Sequence, residues 1–244
     1  MENQTTQLKS TDYEENIKRW AHEDLLQLAP HFHRLKTGGT QYERTNDFVM
    51  NKVGDLPDFD NIKGDIERLR IYMALDTQDK TLYTFFPVLQ VVLTTEETYY
   101  FKLHAVLGRE PKHTKSAVVP ELFKDVISKN WDTIDLNLID DLFVATKIQE
   151  NEFDVVLRVR YYEISKDIIT EIIRNLPKIT GITLYSGIDM NKFGDKTQIS
   201  FTPVLGFQYD EDAKTNFEFG LKSVVELSKG EIFIEYSSPC PPTC

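Results

Sequence analysis

"YMALDTQDKTLYTFFPVL", Tyr72–Leu89, returns later in the chain as "YSGIDMNKFGDKTQISFTPVL", Tyr185–Leu205. With one three-residue gap, nine of the eighteen positions of the first stretch recur: Tyr72 as Tyr185, Asp76 as Asp189, Asp79-Lys80-Thr81 as Asp195-Lys196-Thr197, Phe85 as Phe201, and Pro87-Val88-Leu89 as Pro203-Val204-Leu205. A match of that density in unchanged order points to an internal duplication. Upstream, "YERTNDFV" from Tyr42 resembles "YEISKDII" from Tyr162, and the parallel extends toward Trp20 and Trp131. The expected organisation is two copies, residues 12–112 and 118–236, joined by the polar stretch "GREPKHTKSA" from Gly108 and followed by a tail, 237–244. Tyr42 and Tyr162 are read as helix starts, and the interval between copies falls from 120 residues at that helix (162 minus 42) to 113 at the strand (185 minus 72), which makes "GDLPDFDNIKGD" an insertion in the first copy.

Each copy translates into elements. Ser165 suits a helix N-cap, and Ile168, Ile169, Ile172, Ile173 and Leu176 recur at helical spacing until Pro177. "ITLYSGID" puts Ile182, Leu184, Ser186 and Ile188 on one face of a strand, and "TQISFTPV" puts Ile199 and Phe201 inward with Gln198, Ser200 and Thr202 outward. The Asn, Asp and Gly of "DMNKFGDK" are hairpin-turn residues. "NFEFGLKSVVEL" and "GEIFIEYS" follow as further antiparallel strands. The predicted class is α+β, two tandem copies of a helix packed on an antiparallel sheet. Where the second copy has Gln198 and Thr202, the first has Leu82 and Phe86. An extra apolar outer face implies a cover, either the chain itself or a partner, so Leu82 and Phe86 are candidate partner-binding residues, expected buried while Gln198 and Thr202 are exposed.

Composition narrows the function. With 244 residues and 41% hydrophobic content the chain has enough apolar side chains for a core of its own. A net charge of -11 repels phosphate backbones and argues against a nucleic-acid partner. No apolar run approaches the roughly 20 residues that span a bilayer, and "MENQTTQLKSTDYEEN" carries no apolar leader, so membrane insertion is not expected and the cytoplasm is the expected location. "HFH", His31 and His33, offers two imidazoles but no accompanying ligand spacing, and reads as a half-buried loop. Asp76 and Asp189 stand at strand ends, where a carboxylate caps local amides, and the alternative is a carboxylate pair for acid–base or metal work. Lys80 and Lys196 read as solvated turn residues, and the acidic "IDDLF" and "YDEDAK" lack the spacing of a calcium loop. No nucleophile elbow, phosphate loop, dinucleotide fingerprint or zinc-protease motif is present, and no cofactor is expected.

The last eight residues, "SSPCPPTC", hold both cysteines and three of the ten prolines. The fourth position from the end is Pro241, so a prenylation box is not expected. Cys240 and Cys244 leave open a small disulfide, two thiolates toward a metal, or a proline-stiffened recognition arm formed with Pro239, Pro241 and Pro242. On these residues, with "GITLYSGIDMNKFGDKTQI" and the helix before it, residues 162–244 resemble a group of small bacterial proteins that combine such a hairpin with a terminal S-x-P-C-P-x-x-C motif. The resemblance implies no activity, cofactor or catalytic residue. The expected function is a non-catalytic interaction or assembly protein acting through a protein partner or self-association. The alternatives are a small-molecule binding protein with a pocket between the copies, or an enzyme of unrecognised type. Replacing Cys240 and Cys244 together by serine is expected to leave the circular dichroism spectrum and urea midpoint unchanged. Stoichiometric zinc, lost in that variant along with the folded state, would instead identify a metal clip.

Overall fold

The computed structural model describes residues 11–106, 121–135, 138–148, 154–189, 200–210, 230–235 and 238–240. The first part of the chain runs α1 (Thr11–His22), β1 (His33–Leu35), β2 (Tyr42–Arg44), β3 (Asp47–Met50), α2 (Asp55–Ile62), β4 (Ile66–Leu75), β5 (Phe85–Leu93) and β6 (Thr98–Ala105). The second runs α3 (Glu121–Thr133), β7 (Val144–Ile148), β8 (Asp154–Arg158), β9 (Tyr161–Ile164), α4 (Lys166–Glu171), β10 (Ile179–Tyr185), β11 (Ile188–Asp189), β12 (Ser200–Phe201), β13 (Val204–Tyr209), β14 (Glu231–Glu235) and β15 (Ser238–Cys240). The class is α+β. The linker from Gly108, the strand "NFEFGLKSVVEL", Gln198, Lys196, Pro241, Pro242 and Cys244 lie outside the described residues.

Among the described residues, nine strands form one antiparallel sheet in the order β14-β13-β10-β3-β6-β5-β4-β9-β15. The strands of the first part, β3-β6-β5-β4, lie side by side, and the two parts of the chain meet where β3 pairs with β10 and β9 with β4. The two edges of that order are neighbours in sequence. Glu235 and Ser238 are three Cα steps apart, at most about 11 Å, so the sheet closes on itself as a barrel. Two strands turn the corners. Thr98–Lys102 of β6 pairs with β5, then Leu103–Ala105 pairs with β3; likewise β14 pairs with β13 and β15 with β9. Pro87 sits at the first corner, where β6 has left β5. The N–H of its β4 neighbour Met73 points away to Arg160 O at 3.0 Å, so the missing proline donor breaks no ladder bond.

Alternation builds the interior. Leu69, Ile71, Met73 and Leu75 of β4 point into the barrel and Arg68, Arg70 and Tyr72 point out. Inside, Phe32 and Phe143 stack at 5.5 Å and 5°, Phe85 lies 4.3 Å from Phe32, and Phe201 lies 4.8 Å from Phe143. Trp20 from α1 meets Phe143 at 4.9 Å, and Trp131 from α3 meets Phe32 at 5.2 Å. The indole of Trp20 donates to Val159 O at 2.8 Å, and that of Trp131 donates to Thr45 O at 3.0 Å. Arg158 donates to Trp20 O while its guanidinium covers the Trp20 ring; Arg44 does the same for Trp131. Each tryptophan helix is thus fastened to a hairpin from the other part of the chain.

The hairpin expectation holds in register. Tyr72 opposes Val88 as Tyr185 opposes Val204, and Leu75 opposes Phe85 as Ile188 opposes Phe201. The upstream expectation does not. Tyr42 lies in β2 and Tyr162 in β9, and neither starts a helix. The pairings instead set Phe48 opposite Leu184 as Tyr162 is opposite Ile71, an interval of 114 (162 minus 48). "GDLPDFDNIKGD", expected as an insertion, is helix α2, entered through Gly54 at φ 99°, and it follows β3 as α4 follows β9. Ser165 does cap α4, accepting from Ile168 N at 3.4 Å, but the α-helix ends at Glu171 and continues as a 3-10 turn.

Trp131→Phe keeps an aromatic ring in the cluster and removes the donor to Thr45 O. Leaving that buried carbonyl unpaired is expected to cost about 1–3 kcal/mol in urea unfolding. Trp20→Phe is expected to cost the same through Val159, and each variant should still unfold in one transition.

Candidate functional site

The residues singled out in the sequence do not converge. Phe86 is buried, but the cover belongs to this chain: Tyr13 of α1 meets its ring edge-on at 6.3 Å and the Lys102 ammonium stands 3.8 Å above it. Leu82 was expected buried and is 56% exposed, because the strand starts only at Phe85 and Leu82 sits in the preceding turn, its N–H on Asp79 O. Thr202 was expected exposed and is fully buried. Its amide is taken by Gly187 O, and α3 packs over this edge with Ile127 against Gly187. Pro239 and Cys240 do not leave as a free arm: Ser238–Cys240 pairs along β9, Pro239 opposite Tyr162.

Asp76 serves the packing of α1 rather than local amides. Its carboxylate accepts from Asn16 Nδ2 at 2.9 Å and pairs with Lys102 at 3.3 Å. The turn-capping role falls to Asp79, which accepts from the Thr81 amide and hydroxyl. Lys80 is exposed, and its carbonyl accepts from Leu35 N at 2.7 Å, tying the turn to β1.

His31 and His33 are buried, not half-exposed. His33 Nε2 accepts from Arg44 Nε at 3.0 Å, so Nδ1 carries the proton and donates to Ala29 O at 2.7 Å. His31 Nδ1 lies 2.7 Å from Thr84 Oγ1 and Nε2 lies 3.6 Å from Glu23. A carboxylate–imidazole–hydroxyl series of this kind resembles a nucleophilic triad, but Thr84 is only 3% exposed and its hydroxyl has no approach for a substrate. Burial lowers the pKa of His31, partly offset by Glu23, and lowers that of His33, assisted by Arg44. Among the described residues no three His, Cys, Asp or Glu side chains gather as metal ligands, and no helix is long and apolar enough to cross a membrane.

One concave feature of the described surface lies on the outer face of the barrel, where β3 and β6 meet β10 and β13. It is an open groove of about 660 Å³. Val49 and Thr183, paired across β3 and β10, form its floor, and His104 opposes Val49 on the far side. Gln208 forms the other wall, its amide lying over Gly181 where any Cβ would meet it at 2.2 Å. Gln208 Nε2 in turn donates to the buried Glu231, which also accepts from the Tyr185 hydroxyl at 2.9 Å. Asn51 and Lys52 close one end and Val106 lies beside His104. Burial lowers the pKa of His104, Lys102 lowers it further, and Asp55 raises it; burial in turn raises Asp55. None of these residues belongs to a recognisable motif. The one signal in the sequence is Gly181 and Gly206 inside strands, where a missing side chain marks a close approach. No family model, curated protein or solved structure matches this chain.

Because His31 and His33 titrate below the unfolded value of 6.5, the unfolded chain binds more protons just below that pH. The stability they contribute is complete above it and falls as the pH drops through it. The urea midpoint is expected to decrease between about pH 7.5 and about pH 6. The decrease should be smaller in His31→Gln/His33→Gln.

Proposed function

We propose that this chain is a duplicated, non-catalytic binding protein and that its ligand occupies the groove at the seam between β3 and β10. The duplication is supported by the equal registers of the β4–β5 and β10–β13 ladders and by the exchanged tryptophan contacts, Trp20 on Val159 and Trp131 on Thr45. The copies are then 12–112 and 118–236, built into one barrel rather than two separate domains. The binding assignment rests on a single observation: the groove is lined by Val49, Lys52 and His104 from the first copy and by Thr183 and Gln208 from the second. Seams between structural units are where ligand sites concentrate, and an apolar floor with a few polar groups at the rim is their usual make-up.

A protein partner is the second reading. Leu82 and Tyr42 are 56% and 54% exposed, and the turn and hairpin that carry them are joined by the Leu35–Lys80 hydrogen bond and the Leu35–Tyr42 pair. Leu82, with Pro239, Cys240, Pro241, Pro242 and Cys244, would then take part in recognition, and Phe86 would support it from beneath.

Titration with 1-octanol, followed by amide and methyl chemical shifts, tests the seam. Saturable shifts are expected at Val49, Val106 and Thr183, and they should disappear in His104→Trp, which fills the groove from an exposed rim position. Shifts confined to Leu82 and Tyr42 would move the site to the hairpin and reject the seam.

A further inference from the structure

The barrel has two seams, and their side chains differ. At the β9–β4 seam the outer row across the strands reads Ser238, Glu163, Arg70, Gln90; at the β3–β10 seam the corresponding row reads His104, Val49, Thr183, Gly206. Arg70 and Glu163 form an ion pair at 2.6 Å, and Arg70 also lies 4.8 Å from the Tyr161 ring, so the first seam is filled. Val49 and Thr183 leave the second open.

The next position along each seam carries a lysine. Lys166 bonds Glu67 at 2.5 Å across the β9–β4 seam, where the register that pairs Leu69 with Ile164 brings the two residues opposite. The β3–β10 ladder ends at Thr183–Val49, and Lys52 stands in the turn after β3 as Lys166 stands at the start of α4 after β9. The second seam thus carries a lysine but neither acidic residue, with Thr180 at the place of Glu67 and Val49 at that of Glu163 in the aligned copies. Among the described residues Lys52 has no ion pair. At His104 burial and Lys102 lower the imidazole pKa and Asp55 raises it.

We infer that the seam groove takes a small amphipathic monoanion, a carboxylate on an apolar body, with the carboxylate on Lys52 and the apolar part over Val49 and Val106. The inference rests on the seam being the binding site. One unpaired cation fits one negative charge, which separates a carboxylate from a phosphate dianion. Asn51, which closes the same end of the groove, accepts from Val53 N through its side-chain oxygen, which leaves its amide N–H groups as the donors it can offer.

The test uses three probes with one apolar body and three charges, octanoate, octanol and octylamine, titrated calorimetrically and by chemical shift into the full chain. A surface ion pair predicts octanoate binding roughly three- to tenfold tighter than octanol, octylamine weakest, and a difference that shrinks at high salt. Lys52→Met should equalise octanoate and octanol. Thr180→Glu restores the carboxylate that Glu67 supplies at the other seam, and should reduce octanoate affinity while sparing octanol. Both positions are exposed, and unchanged urea midpoints will show that the variants fold. Octanol binding in the groove with octanoate no tighter would overturn the anion inference and leave the seam in place. Binding of none of the three at the groove would overturn both.

Discussion

The exchange of tryptophans between the two parts of the chain is the constraint on which the barrel depends. Trp20 and Trp131 are fully buried, and each indole N–H needs an acceptor that its own helix cannot supply. Val159 O and Thr45 O supply it from the opposite part, and Arg158 and Arg44 close the loop by donating back to the tryptophan carbonyls. Neither part can satisfy its own indole, so neither can complete its core alone. The Phe32–Phe143 stack lies between the two locks and transmits the same coupling through the centre. Strand pairing follows, since docking each helix on the opposite hairpin brings β3 beside β10 and β9 beside β4.

The outer faces of the two parts differ around this common interior. Under α1 the sheet presents Ala74, Phe86 and Val88, packed by Tyr13 and Ile17. Under α3 it presents Tyr185, Val204 and Phe233, with Ile127, and here Lys124 sits 5.0 Å from the Tyr185 ring in the place Tyr13 takes on the other side. Thr202 stands on the helix-facing side at the register position of Phe86, and Ser186 at that of the interior Met73; neither hydroxyl has a hydrogen-bond partner among the described residues. Interior aromatic positions are alike in the two parts, whereas these two positions are apolar in one and polar in the other.

The hairpins were legible in the sequence because paired positions carry the same residues: Tyr72 with Val88, Tyr185 with Val204. The helix-to-strand segment was not. Tyr42 and Tyr162 lie at different places in the sheet, and the residues that the pairings set in like positions, Phe48 and Tyr162, share only an aromatic ring facing the core. Strand periodicity also misled at Leu82, because alternation is informative only where a ladder exists and the ladder stops at Phe85. The groove was illegible for a different reason. It is made by what Val49, Thr183, Gly181 and Gly206 lack, and a short side chain on a strand has the same appearance in a sequence whether its space is filled or open.

The energies involved make a seam more tolerant of change than a lock. A buried indole or carbonyl left unpaired costs about 1–3 kcal/mol, and a core aromatic truncated to alanine costs about 3–5 kcal/mol, a large share of a domain's stability. A solvent-facing ion pair contributes only about 0–1 kcal/mol. Glu163 and Glu67 are each more than a third exposed in their pairs with Arg70 and Lys166, so replacing such pairs at the other seam by Val49, Thr183 and Thr180 sacrifices little. The seam is thus a place where this barrel can change its outer side chains freely, and Lys52, which has no ion pair among the described residues, carries a charge that the fold itself does not need.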